Sequence, residues 1–341
     1  MTGALRKLLL GTCARRAAAP RMVPYPGWTT GSDTDAESPE MQVRRATWEN
    51  LREASTILWL DGLKVRLFPG NETSRVLFLT GLYEPNEFCW LRRYLEPGMT
   101  VVDGGANMGL YTLYAARRVA PSGAVLALEP SEREFRRLVA HARLNRLDNV
   151  RCRRLALGRT AGRGRLRVAA EWNAGHNTLG EFGYEATELL RVEEVEVRAL
   201  DAIVADEGLD RVDLIKLDLE GAEYDALLGA EATIRRFRPA ILVEVADRTL
   251  RHQGAHSGRI WDFLESRGYT LYGFDENRAR LQPAARKPEY DSENLVATPG
   301  VGEDRTPAAG SGKGRVSGGA QCLTAGRRGR RPTSPDRRPR K

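Results

Sequence analysis

Between residues 100 and 298 the chain alternates short apolar runs with amphipathic stretches, and this alternation restricts the fold more than any other feature. Runs of strand length fall at 100–103, 124–129, 150–155, 212–218, 240–245, 268–274 and 293–298. Helical periodicity falls between them, at 107–119, 131–146, 199–206, 222–236 and 257–267. Strands separated by helices pair in parallel through crossovers, so the pattern predicts an α/β fold with a mainly parallel sheet covered on both faces. The last two strands are joined without a clear helix, which lets the final strand enter antiparallel. Two further strands, at 164–170 and 193–198, are expected to extend the sheet locally.

Ahead of this region, Thr56-Ile57-Leu58-Trp59-Leu60 and Leu63-Lys64-Val65-Arg66-Leu67 flank Asp61-Gly62, a strong hairpin signal. Val76 to Thr80 reads as a third strand, and Glu87 to Leu95 as a helix stopped by Pro97-Gly98. Residues 47–98 are therefore expected to form a hairpin-and-helix cap on a main domain at 99–298. Both ends have the composition of disorder, a leader at 1–46 and a basic tail at 299–341.

Charge supports this division. Residues 1–46 hold 7 basic and 4 acidic residues, and residues 299–341 hold 11 and 3. That leaves 35 and 38 for the middle, so the basic balance belongs to the ends. An acidic core argues against a nucleic-acid-binding face there. The first acid is Asp33, behind Arg6, Lys7, Arg15, Arg16 and Arg21. Transit peptides share that pattern, but a solvated arm is the stronger expectation. No apolar run approaches the ~20 residues of a membrane span, and a cytoplasmic protein is expected. Cys13, Cys89, Cys152 and Cys322 lie far apart without a C-x-x-C, indicating neither a disulfide framework nor a zinc site.

Chemistry concentrates at the carboxyl ends of the proposed strands. Val101-Val102-Asp103-Gly104-Gly105-Ala106-Asn107-Met108-Gly109 has the form of a strand, a glycine turn and a helix start. Gly105 and Gly109 permit close approach of a ligand, and Asn107 suits a helix cap. The spacing is not that of a dinucleotide fingerprint. The acid at the strand end would repel a pyrophosphate and suits a cationic, zwitterionic ligand, of which S-adenosylmethionine is the obvious case. Glu129 ends the next strand, where acids hold ribose hydroxyls. In Val212-Asp213-Leu214-Ile215-Lys216-Leu217-Asp218-Leu219-Glu220-Gly221-Ala222-Glu223, alternation places Lys216 and Asp218 on one side. A lysine inside an apolar strand needs a partner, which Asp218, Glu220 or Glu244 supplies. Glu244 ends the following strand, so Asp103, Glu129, Asp218 and Glu244 border one crevice. His176, in an irregular segment, is a reserve base. His252 and His256 are spaced i, i+4, but Gly254 between them weakens a helix, so no metal site is indicated.

These residues resemble a known group. Gly81-Leu82-Tyr83-Glu84-Pro85, Pro97-Gly98, Val102-Asp103-x-Gly105-Ala106-Asn107-x-Gly109, Leu128-Glu129-Pro130 and Ile215-Lys216-x-Asp218-x-Glu220-Gly221-Ala222-Glu223 look like the FkbM family of S-adenosylmethionine-dependent methyltransferases. Asn145 and Asn149-Val150 also match. The resemblance covers roughly residues 55–298. It implies a class I methyltransferase sheet of seven strands, the last antiparallel, and O-methylation of sugars, polyketides or other natural products. By that resemblance Asp103, Gly105, Asn107 and Gly109 line the methionine end of the donor, and Glu129 holds its ribose. Gly104 departs from the family, which has an apolar residue there.

The expectation is thus an O-methyltransferase acting on a small-molecule hydroxyl. Asp218 or Glu220 serves as base, Lys216 holds one of them, and Tyr83-Glu84 closes over the donor. Two rivals remain open: a methyltransferase of RNA or protein, and a donor-binding module without catalysis.

Overall fold

A computed structural model describes residues 39–275 and 280–300. Its elements are α1 (Pro39–Glu49), β1 (Ser55–Leu58), β2 (Lys64–Leu67), α2 (Glu72–Thr80), α3 (Pro85–Tyr94), β3 (Thr100–Gly104), α4 (Leu110–Val119), β4 (Ala124–Leu128), α5 (Glu132–Leu144), β5 (Val150–Arg153), β6 (Ala156–Leu157), β7 (Gly162–Ala169), β8 (Leu189–Arg198), α6 (Leu200–Asp206), β9 (Leu214–Leu217), α7 (Glu223–Leu228), α8 (Glu231–Phe237), β10 (Ala240–Val245), α9 (Asp247–Arg251), α10 (Ser257–Glu265), β11 (Tyr269–Asp275), β12 (Arg280–Pro283) and β13 (Glu293–Pro299).

The central sheet has the order β12-β11-β13-β10-β9-β3-β4-β5. β5, β4, β3, β9 and β10 run parallel, and β13 lies antiparallel between β10 and β11. This is the class I methyltransferase sheet, with β13 as its antiparallel last strand. The sequence predicted seven strands; the eighth, β12, pairs antiparallel with β11 at the edge. The order reverses between β3 and β9, which opens a crevice at their carboxyl ends.

Strand alternation decides the two cores. Val101, Val125, Leu214 and Leu242 pack on one face with α4, the hairpin and α3. Val102, Leu126, Ile215 and Val243 pack on the other with α6, α7, α8 and α10. Each such side chain contributes about 1.5–3 kcal/mol on burial. An exposed pair such as Arg159–Asp225 contributes at most about 1 kcal/mol. Two-faced burial, and not surface charge, therefore holds the sheet.

The hairpin β1–β2 forms where the sequence placed it, but its register is one residue from that of a two-residue turn: Leu58 lies opposite Lys64, and the Trp59 N–H bonds the Leu63 carbonyl around Leu60-Asp61-Gly62. Asp61 and Gly62 both take left-handed conformations (φ 50° and 75°), as the tight turn demands. Its apolar residues Ile57, Trp59, Leu63, Val65 and Leu67 join the α4-side core.

Several expectations are corrected. Val76–Thr80 is the end of α2 and not a strand. Asn71 caps that helix, its Oδ1 accepting the Ser74 N–H at 2.8 Å, and Gly81 closes it with φ 82°. These caps outweigh the strand propensity of the run. The predicted helix 222–236 breaks at Gly229 into α7 and α8, and Asp201 caps α8 through the N–H groups of Ala232 and Thr233 at 2.9 and 2.7 Å. β7 and β8 do not extend the central sheet. With β6 they form a separate sheet around Ala156, Leu166, Val168 and Val195. Part of the expected leader, from Pro39, is helical: α1 buries Met41 and Trp48. The remaining leader and the basic tail from 301 lie outside the described residues. Cys152 is free. No helix among the described residues is long and apolar enough to cross a membrane.

Gly104 has a packing reason. A Cβ there would lie 2.8 Å from Leu157 Cδ1 and 3.2 Å from the Lys216 carbonyl oxygen. Leu157 fills the space that a side chain at 104 would need. Gly104→Val is expected to destabilise the fold by about 1–3 kcal/mol through overpacking, and adding Leu157→Ala to recover part of that loss; urea midpoints measure both.

Candidate functional site

The crevice at the ends of β3, β4 and β9 is built from the glycine turn, the tip of β4 and the loop after β9. It is lined by Gly105, Asn107, Glu129, Asp218 and Glu220, with an apolar wall of Leu128, Leu155, Leu157, Leu166 and Leu179. At Gly105 φ is 72°, and a Cβ would meet the Asp218 carbonyl oxygen at 1.8 Å. No side chain fits there, so the two loops touch backbone to backbone. Gly109 has φ 99° and presses on Leu138, whose Cδ1 would lie 2.7 Å from a Cβ.

Glu129 closes the turn from the β4 side. Its Oε2 accepts the Asn107 N–H and its Oε1 the Ser131 N–H, both at 2.8 Å. Burial pushes its pKa up to about 8, against the pull of those two donors. Asn107 is not the helix cap that its type suggested. It takes φ 49°, and Gly109 occupies the cap position of α4. The Asn107 side chain instead accepts the Met108 N–H at 2.6 Å and reaches the Ala174 carbonyl at 3.4 Å.

Asp103 and Lys216 lie behind this surface and not on it. Asp103 is 1% exposed and faces Lys216 across the β3–β9 pairing. Its Oδ2 accepts Thr112 Oγ1 at 2.5 Å. Its Oδ1 lies 3.8 Å from Lys216 Nζ and receives no hydrogen bond. Burial raises the Asp103 pKa, while Lys216 and Thr112 oppose that rise. Lys216 Nζ also sits 3.2 Å from Asp218 Oδ2 and 4.7 Å from the Tyr111 ring centre. Burial pulls the ammonium pKa down, but Asp218, Asp103 and Glu84 outweigh it and hold it above the ordinary lysine value.

Acids crowd the other side. Burial and the neighbouring carboxylates push Glu220 and Glu244 well above the usual carboxyl range. Asp218, Glu220 and Glu244 each bring an oxygen within 4.8 Å of the others. Such a set shares protons or could hold a hard cation, although the sequence indicated no metal. Glu84 accepts the Tyr111 hydroxyl at 2.6 Å and Asn294 Nδ2 at 3.0 Å. Burial and then the Asp218 charge move its pKa up to about 7. Glu223 folds the loop over itself, accepting the N–H groups of Leu219 at 2.7 Å and Gly221 at 3.1 Å.

Backbone strain gathers here. Six non-glycine residues among those described have left-handed φ, and three of them, Glu84, Asn107 and Glu220, belong to this site. Each such residue costs roughly 1–3 kcal/mol and persists only when its surroundings over-determine it. For Glu220 the constraint is visible: its carbonyl accepts Thr178 Oγ1 at 2.7 Å.

Of the residues singled out in the sequence, Gly105, Asn107, Glu129, Asp218 and Glu220 share the crevice, with Asp103, Lys216 and Glu84 packed behind or beside it. His176 does not line it. It stacks on Tyr184 at 4.7 Å, and burial lowers its pKa. Thr112, Tyr111 and Asn294 were missed. Tyr111 and Thr112 read as helix residues, and Asn294 reaches Glu84 across 210 positions. No sequence spacing marks such contacts.

Residues 103–271 match the model of the Methyltransferase FkbM domain. AMB antimetabolite synthetase AmbE of Pseudomonas aeruginosa is 29% identical over 216 residues, which cover 52% of this chain but only 10% of that relative. The 2-O-methyltransferase NoeI of Sinorhizobium fredii is 27% identical over 212 residues, covering 55% of this chain and 82% of that protein. A crystal structure of Methyltransferase FkbM from Methylobacillus flagellatus KT aligns with a TM-score of 0.37 and 15% identity, over 79% of this chain and 60% of that one. Over residues 103–271 the chain belongs to the FkbM family of methyltransferases.

Proposed function

We propose that the crevice binds S-adenosylmethionine and that the chain methylates a hydroxyl of a small molecule of sugar or polyketide type. The observation that carries this is the pairing of Glu129 with the glycine turn across from Asp218 and Glu220. It sets a hydroxyl-binding carboxylate and a proton acceptor on opposite walls of one cleft. The likeness to NoeI, whose name describes 2-O-methylation, supports a hydroxyl acceptor.

The residues fit this donor. Gly105 leaves a cradle that any Cβ would fill. The leucine wall suits an adenine ring, and Glu129 suits ribose hydroxyls. Buried Asp103, with one oxygen lacking a hydrogen bond, and the carboxylates beyond it suit positive charge. When bound, the donor supplies a methyl group already activated by its positive sulfur. The protein's part is then mainly alignment, which can supply up to about 7–11 kcal/mol of the barrier.

Asp218 is the proton acceptor in this reading. It stands at the crevice, salt-bridged to Lys216. Glu220 and Glu244, pushed up by burial and by neighbouring carboxylates, stand beside Asp218 and are placed to hydrogen-bond the acceptor. Lys216 fixes Asp218 and keeps Asp103 in register with it. The ordered wall at Glu84 and Tyr111 limits water on that side.

Asp218→Asn is expected to retain S-adenosylmethionine affinity by calorimetry while lowering kcat by about 10²–10⁴-fold; unchanged turnover excludes it as base. Asp103→Ala is expected to abolish measurable donor binding, because it removes the buried carboxylate behind the turn and leaves Lys216 short of a partner. Retained affinity would remove the donor reading itself. Turnover is followed as S-adenosylhomocysteine release with a panel of sugar and polyketide hydroxyl acceptors.

A further inference from the structure

His141 is buried, 1% exposed, on α5, outside the crevice and unused by the chemistry above. Its Nε2 lies 2.8 Å from the Arg66 backbone nitrogen, and its Nδ1 lies 2.7 Å from the Met108 carbonyl oxygen. A backbone N–H only donates and a carbonyl only accepts. The ring is therefore neutral, with its proton on Nδ1. One helical turn later, Asn145 Oδ1 accepts the Lys64 N–H at 2.7 Å, and Asn145 Nδ2 donates to the Lys64 carbonyl at 2.8 Å.

The two contacts form one device. β2 pairs with β1 along one edge, and the alternation of a strand turns the groups of Lys64 and Arg66 outward along the other. His141 on α5 and Asn145, the C-terminal cap of that helix, stand at i and i+4. They bond that free edge as a neighbouring strand would. The same imidazole holds Met108, which lies between Asn107 and Gly109 in the turn that we assign to the donor.

We propose that His141 is a positioning residue for the donor cradle, tying the free edge of the N-terminal hairpin to the glycine turn, and that its protonation loosens the turn. The proposal rests on the donor assignment above. A second ring proton has to sit on Nε2, against the Arg66 N–H. Burial opposes it first, and the charges of Arg137 on α5 and Arg66 on β2 act in the same sense. Arg137 is itself held by Glu134 at 3.1 Å and Glu171 at 2.9 Å, and the Phe68 ring lies 6.2 Å from the imidazole. The folded-state pKa thus lies below that of a free imidazole. The contribution of His141 is complete above about pH 6.5 and is lost as pH falls through the folded value.

The test is calorimetric titration of the full chain with S-adenosylhomocysteine between pH 7.5 and pH 5, for the wild type, His141→Gln and Asn145→Ala. Glutamine can donate to Met108 and accept from Arg66, but it cannot titrate. Wild-type affinity is expected to fall several-fold more on acidification than that of His141→Gln. Asn145→Ala, which loosens the hairpin edge without touching the turn, is expected to follow the wild-type pH dependence. Parallel curves for wild type and His141→Gln overturn the role of His141 and leave donor binding intact. Absence of wild-type binding at every pH overturns the donor assignment instead. Should His141→Gln not fold, nitrogen-15 spectra of histidine-labelled wild type decide: a ring protonated on Nε2, or charged at neutral pH, rules the proposal out.

Discussion

The ammonium of Lys216 lies inside the sheet, between Asp103 on one neighbouring strand and Asp218 at the tip of its own, and over the face of Tyr111. A lone buried charge of this kind would cost several kcal/mol. Two carboxylates within 4 Å remove most of that cost, and they are also the two acids to which we assign donor binding and proton acceptance. Asp103 supports the glycine turn from below, and Asp218 faces the crevice. The register of β3 against β9 places the first of them opposite Lys216. A slip of one residue would turn the lysine to the other face and leave both acids unmatched.

Around this pair the site is held by backbone geometry more than by side-chain bulk. Gly105 lets the first loop rest on the carbonyl of Asp218, and Glu129 draws the turn toward β4 through two N–H groups. Of the residues in left-handed conformations, Glu84 is bonded from α4 and β13, Asn107 by Glu129 and to the Ala174 carbonyl, and Glu220 by Thr178 ahead of β8. The hairpin takes part through α5 and its C-terminal cap, whose His141 and Asn145 bond its free edge. The N-terminal region is thereby bonded to the same turn as the crevice. It is more than a cover laid over the methyltransferase domain.

Much of this was legible in the residues. Apolar runs of strand length between amphipathic stretches marked the parallel sheet, because burial on both faces leaves that pattern. Asp61-Gly62 marked a turn, because both central positions need φ above zero. Acids at strand ends marked the crevice. Elsewhere a local cue met a stronger partner and lost. Val76–Thr80 has strand composition, yet Asn71 and Gly81 cap it as a helix. β7 and β8 have strand patterns, yet their apolar faces meet each other and β6 and not the central sheet. Asn107 has the type of a cap residue, yet Glu129 takes its N–H and bends it out of the helix.

From its amino acids alone, this chain determines its layered architecture and the acids that gather at the strand ends, since both follow from spacing along the backbone, and its motifs carry the resemblance to the FkbM methyltransferases. Tertiary structure alone decided which acids face the crevice and which lie behind it, that His176 turns to Tyr184, that Tyr111, Thr112 and Asn294 bond the buried acids, and that His141 bonds Met108 in the glycine turn. Those outcomes depend on contacts between residues from eight to 210 positions apart. Such contacts are set by how layers pack and by which buried polar groups must find partners, and neither leaves a mark in local sequence.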